Sequence, residues 1–180
     1  MAEPAWIEVV PDNEASGKLK EVYEKVIKDR GQNLNIARAA SLWPEFLDLQ
    51  EKEFELFSNT KTYLDDDQKD LIAALVAQIN HSAYYSNLYR ESLVDRGWTD
   101  ENVGHILQDI ESHHLDQKTR AVLVFAEKIT RNTKSMESED IDKMRLAGVD
   151  DRGILEAAVL ASHHNYLSRL ANALGVMPEE

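Results

Sequence analysis

The sequence predicts an all-α fold, and three observations carry that expectation. Apolar residues recur at helical spacing along most of the 180 residues, strand-like alternation is almost absent, and the helical stretches are parted by short punctuated loops rather than by a linker. About eight or nine helices are expected, in one compact unit overall.

Taken in order, Leu19, Val22, Tyr23, Val26 and Ile27 form a single stripe of a first helix that Gly31 closes. A short helix is expected over 35–42. Pro44 can occupy the first turn of a third helix that runs to about Ser58, because its missing N–H is free at that end in any case. The acidic run Asp65-Asp66-Asp67 offers a capping side chain and favourable charge at the start of the next helix. That helix contains Leu71-Ile-Ala-Ala-Leu-Val-Ala, apolar on nearly all sides, and should be central and buried. The segment from Asn80 onward reads as a further helix ending at Gly97, with Asp95 and Arg96 exposed. Thr99 caps a helix carrying Val103, Ile106, Leu107 and Ile110. Residues 121–129 form the core of the next, Ser138 or Glu139 opens a short one that Gly148 ends, and the last runs from about Asp151 to Leu174.

Composition excludes several function classes. Lys and Arg number 20 against 33 Asp and Glu, a formal net charge of −13. Such a surface repels phosphate backbones and anionic headgroups, so nucleic acid and membrane are not expected partners. No apolar run approaches the roughly 20 residues of a membrane helix. The N-terminus has neither a basic nor an apolar leader region, and a cytoplasmic protein is expected. The chain has no cysteine, which removes disulfides, thiolate metal sites, iron–sulfur clusters and thiol nucleophiles together.

The stretch from Asp70 through Asn80, His81, Ser82, Tyr84 and Tyr85 to Tyr89 resembles the core of the alkylhydroperoxidase D / carboxymuconolactone decarboxylase family. In that family an acidic residue precedes an Asn-x-Cys-x-x-Cys segment, and a His follows one helical turn after the second Cys. Here Asp70 stands at the acidic position, Asn80 at the Asn, Ser82 and Tyr85 at the two cysteines, and Tyr89 at the His. Three further segments carry the same resemblance: 119–130, Met144 to Gly148 with Asp151 and Ile154, and His164-Asn165 followed by Arg169 and Leu174-Gly175-Val176. The resemblance points to the peroxidase-related branch, and so to an N-terminal helical extension over 1–62 packed on a core over 63–180. It also implies a homo-oligomer, a trimer or a hexamer. The aromatic residues Trp6, Trp43, Phe46, Phe54 and Phe57 would be covered in such an assembly.

The residues do not permit the family's thiol peroxidase cycle. A serine hydroxyl is a poor nucleophile without a base, and two oxygens cannot pair as two sulfurs do. On one continuous helix, however, Ser82, Tyr85 and Tyr89 would share a face, and the resemblance aims Asp70 at it. One hydroxyl, two phenols and a carboxylate could hold and protonate a polar substrate, with tyrosine as acid and Asp70 as base. The plainer reading is that the tyrosines fill an abandoned site. Asp70 is shorter than the family's Glu by roughly 1.3 to 1.5 Å. His81 could add an imidazole or could simply cap or pack. Tyr84 and Asn80 are candidate substrate contacts, as are Asn165 and Arg169 at i and i+4. Arg169 would either hold a substrate carboxylate or tie helices or subunits together.

No metal and no other cofactor is expected. Glu111 to His114 gives one Glu-x-x-His, but a carboxylate-bridged di-iron site needs two. His105, Asp109 and His113 lie at i, i+4 and i+8, which suits a polar outer face equally well. His113 and His114, like His163 and His164, are adjacent and diverge on a helix. The expected function is a thiol-independent protein that binds or acts on a small oxygenated organic molecule, by acid–base chemistry of the decarboxylase, lyase or isomerase type. A non-catalytic ligand-binding or assembly protein is the alternative, and a His-ligated metalloenzyme stands behind both.

Overall fold

The computed structural model describes residues 3–59, 61–111 and 115–179. Among them are nine α-helices, two 3₁₀ turns and no strand. The helices are α1 (Gly17–Arg30), α2 (Asn35–Ala39), α3 (Pro44–Asn59), α4 (Asp66–Ile79), α5 (Ala83–Asp95), α6 (Asp100–Gln108), α7 (Gln117–Asn132), α8 (Ser138–Leu146) and α9 (Asp151–Leu174). The chain forms two compact units, Met1–Lys61 with Ala171–Glu180, and Thr62–Leu170. The C-terminal ten residues, read from the sequence as part of the core, thus group with the N-terminal unit.

The N-terminal unit is built on the stripe expected for α1, except that Ile27 at its end is exposed. Leu19, Val22, Tyr23 and Val26 are buried with Leu34, Ala37 and Leu47. The C-terminal segment joins this unit through Trp6 N–H to Leu174 O and Met177 N–H to Pro4 O. Gly175 is required there: at φ +61° it lies under the Trp6 ring, and a Cβ would fall 2.1 Å from a ring carbon. The helix expected over 35–42 stops at Ala39. Ser41 is instead taken up beyond it, its Oγ accepting the Val10 N–H.

The second unit centres on α4. Leu71 through Ala77 are all buried, each at 1% exposure or less. Burying an aliphatic side chain is worth about 1.5–3 kcal/mol, several times the helix-propensity cost of Ile or Val, so tertiary packing decides the conformation. Asp65 caps α4 as expected, in a capping box with Gln68. Gln68 extends from that cap to Thr119 Oγ1 on α7 at 2.9 Å. Thr99 caps α6 by accepting from Asn102 N–H. Asp116, which sequence periodicity does not single out, caps α7 through Lys118 and Thr119 N–H.

One expectation of continuity needs correction. The segment around Asn80 is not helix; it is a three-residue reversal between α4 and α5. Asn80 is the C-cap of α4, His81 adopts the left-handed region at φ 54°, and Ser82 is the N-cap of α5.

Candidate functional site

The reversal is a Schellman motif. Ser82 N–H donates to Ala77 O at 2.9 Å and His81 N–H to Gln78 O at 3.1 Å, satisfying carbonyls that the end of α4 leaves open. Glycine is the usual occupant of the left-handed position, and here it is His81, with an exposed side chain. His81 therefore belongs to the turn, and its orientation cannot be taken from a helical wheel. Ser82 O accepts from Ser86 N–H at 2.9 Å and so begins α5. Its side chain forms no capping bond. Ser82 is 1% exposed, and its Oγ is buried without a hydrogen-bond partner.

An aromatic file runs along α5. Tyr84 and Tyr85 are buried and meet edge to face at 4.9 Å. Tyr85 stacks on Tyr89 with centroids 6.0 Å apart and planes 17° apart. Tyr89 in turn meets His164 of α9 edge-on, at 4.9 Å and 80°. Ser82, Tyr85 and Tyr89 thus keep the spacing expected of them, with Ser82 at the helix cap instead of within it.

His164 is a group that sequence reasoning missed. It is 7% exposed, and burial, reinforced by neighbouring His163, lowers its pKa to about 3, so the ring is neutral. Its Nδ1 has no hydrogen-bond partner, and neither does Oγ of fully buried Ser168, one turn further along α9. The signal was available. Leu160, Ala161, His164, Leu167, Ser168 and Ala171 follow helical spacing, which puts His164 and Ser168 in the buried stripe. Reading His163 and His164 as a pair of metal candidates hid that placement.

Asn80 and Asn165 are brought together, but by each other. Asn80 Nδ2 donates to Asn165 Oδ1 at 2.9 Å. Asn165 Nδ2 donates to Thr130 Oγ1 and to Ala161 O, both at 2.9 Å. One side-chain amide thus ties the α4–α5 turn to α7 and α9, and its hydrogens are spent on protein partners. Arg169 is exposed, and its Nη1 donates to Asn165 O at 3.4 Å.

The Asp70 carboxylate is held by Arg96, Oδ2 to Nη2 at 2.7 Å. The same guanidinium takes Asp67 through Nε at 2.7 Å, and Trp98 Nε1 donates to the other Asp67 oxygen at 2.9 Å. Against the opposing effect of burial, these bonds lower the pKa of Asp67 and raise that of Arg96. Arg96 is exposed, as expected, and is also the clamp of this end of α4. Among the described residues no group of three His, Asp or Glu side chains could hold a metal ion. His113 and His114, and with them the Glu-x-x-His and the i, i+4, i+8 series, lie outside the described residues. An open hollow lined by Arg145, Gly148, Val149, Asp150, Asp151 and Arg152 contains none of the expected site residues.

No protein-family profile matches the chain, and no curated protein does. Solved structures do. An uncharacterized peroxidase-related protein from Silicibacter sp. TM1040 superimposes with a TM-score of 0.86 at 22% identity, covering 99% of this chain and 93% of its own. The alkylhydroperoxidase AhpD core protein from Ralstonia eutropha JMP134, also an uncharacterized peroxidase-related protein, gives 0.88 at 15% identity over 100% and 95%. The chain has the alkylhydroperoxidase D-like fold. The debrominase Bmp8 shares the AhpD-like fold, with a TM-score of 0.78 at 16% identity over 95% and 90%. A form of Bmp8 is known in complex with 2,3,4-tribromopyrrole. At these identities the likeness establishes the AhpD-like architecture, and this chain realises it without any cysteine.

Proposed function

We propose that this protein binds a small oxygenated organic molecule at the Ser82–Tyr85–Tyr89 face of α5 and acts on it by thiol-independent acid–base chemistry, of the decarboxylase, lyase or isomerase type. The observation that carries the reading is the Ser82 hydroxyl. Serine at an N-cap normally accepts from a helix N–H, a bond worth about 1 kcal/mol. Here Oγ forgoes that bond, is 1% exposed and has no partner. A buried hydroxyl without a hydrogen bond costs about 1–3 kcal/mol, so a ligand that supplies the missing bond is bound the more tightly. The tyrosines are the proton donors of this reading. Asp70, engaged by Arg96, anchors the helix beside them rather than acting as the base. The tribromopyrrole complex of Bmp8 supports a small cyclic ligand for the fold.

Ligand-observed NMR against a panel of small oxygenated molecules, with wild type and Ser82→Ala, tests the reading. The hits should weaken about tenfold in Ser82→Ala, the worth of one lost hydrogen bond, while its stability is unchanged or higher. A wild type that binds no member of the panel, or a Ser82→Ala protein about 1 kcal/mol less stable for want of a cap, would sink it.

A specific observation favours assembly as well. Trp6 and Trp43 are 77% and 64% exposed, and Leu146 and Leu155 are 82% and 61% exposed. Large apolar side chains left this open are read here as contact surface of a homo-oligomer, a trimer or hexamer. Light scattering coupled to gel filtration checks it, and a mass near the 20.5 kDa of one chain would refute it.

A further inference from the structure

Resting on the site reading just given, we infer that His164 is the group that selects the ligand, its Nδ1 accepting a hydrogen bond from an O–H or N–H of an uncharged ring-bearing molecule seated against Tyr89.

Among the described residues of this unit, three buried side-chain polar atoms have no partner: Ser82 Oγ, His164 Nδ1 and Ser168 Oγ. Native proteins leave few such atoms, and each asks for an explanation. Ring contacts join Tyr85, Tyr89 and His164, with successive ring centroids 6.0 and 4.9 Å apart. The two serines stand one helical turn from that series, Ser82 before Tyr85 and Ser168 after His164 on the buried face of α9. The series is therefore aromatic rings with unpartnered hydrogen-bonding atoms toward both ends, a composition that suits a small ring compound with a polar edge.

The charge of that compound follows from what surrounds it. Ser82, Ser168, the phenols and the neutral imidazole are all uncharged at ordinary pH. Among the described residues, the guanidinium of Arg90, next to Tyr89 in the chain, is paired with Asp100, that of Arg96 at the far end of α5 is paired with Asp67 and Asp70, and Arg169 is exposed. Bringing a free carboxylate here would cost its hydration, with neither paired arginine free to replace it. An uncharged phenol, enol or azole N–H meets the requirement, and within the acid–base reading this favours enol or double-bond chemistry over decarboxylation of an anion. In the commoner neutral tautomer His carries its proton on Nε2, which leaves Nδ1 as the acceptor for that O–H or N–H.

The probes are para-cresol and its methyl ether, equal in ring but differing in the O–H. Wild type should bind the cresol about tenfold more tightly than the ether, one hydrogen bond's worth. In His164→Phe, which keeps an aromatic ring beside Tyr89, cresol should fall to the affinity of the ether and the ether should be unchanged. A His164→Phe protein that retains the preference overturns the inference and leaves the site reading standing. Failure of wild type to bind either probe overturns both. Should His164→Phe fail to fold, the imidazole nitrogen resonances of wild-type protein decide: the buried ring's Nδ1 should shift with cresol and not with the ether, and an unmoved signal overturns the inference.

Discussion

Asn80 and Asn165 face each other amide to amide, Nδ2 to Oδ1 at 2.9 Å, across the junction of the α4–α5 turn and α9. Because Asn165 also donates to Thr130 and to Ala161 O, it spans three elements with a single side chain. Asn165→Leu would leave the polar groups of Asn80 and Thr130 without their Asn165 bonds. A loss of about 2–3 kcal/mol is expected, since leaving buried polar groups unsatisfied costs about 1–3 kcal/mol each. Urea denaturation measures it, and a loss under half a kcal/mol would mean that the network is ornamental. Asn165→Asp should fall between, because it keeps the acceptor for Asn80 and forfeits both donated bonds.

The left-handed position of the turn belongs to His81, at φ 54°. A side chain bearing a Cβ holds that conformation at a cost of roughly 1–2 kcal/mol. His81→Gly removes the strain but adds freedom to the unfolded chain, and a net gain of about 0.5–1 kcal/mol is expected. A thermal melt at matched pH is the readout. A destabilised His81→Gly would show that the imidazole makes contacts worth more than the strain.

Acid should destabilise the folded chain through His164. Its pKa is about 3 folded against 6.5 ordinarily, lowered by burial. The unfolded chain therefore takes up a proton first as pH falls, so stability from this group is fully present above about 6.5 and is lost progressively toward 3. The loss amounts to a few kcal/mol, since each unit of difference is worth about 1.4 kcal/mol. His164→Phe should flatten the stability profile in that window. An unchanged slope between wild type and variant would contradict a buried neutral imidazole.

The last prediction concerns sulfur placed where the resemblance expects it. Ser82 at the N-cap and Tyr85 three residues on lie one turn apart at the start of α5, the location that most favours a thiolate. Ser82→Cys with Tyr85→Cys should form an intrahelical disulfide on mild oxidation. Removing the Tyr85 ring, which is 5% exposed, should cost about 3 kcal/mol or more. Thiol counting before and after oxidation checks the pair. Two thiols that stay free in a folded double variant would show that the matching of this segment is wrong.

Helical periodicity, the caps at Asp65 and Thr99 and the buried run Leu71–Ala77 were legible in the sequence, because each rests on local spacing and on apolar burial that only one helix face can provide. So was the pairing of Tyr85 with Tyr89, four residues apart on one face of α5. The break at His81 escaped notice. No glycine marks it, and a non-glycine residue in the left-handed region has no signature in composition. Tertiary structure alone decided the partners of the polar groups. Arg96 lies 26 residues from Asp70 along the chain, Asn80 lies 85 from Asn165, and His164 meets Tyr89 from a different helix. Sequence spacing constrains which residues share a face of one helix, whereas which faces meet depends on how nine helices pack among the described residues. The neutral, unpartnered imidazole of His164 is a product of that packing.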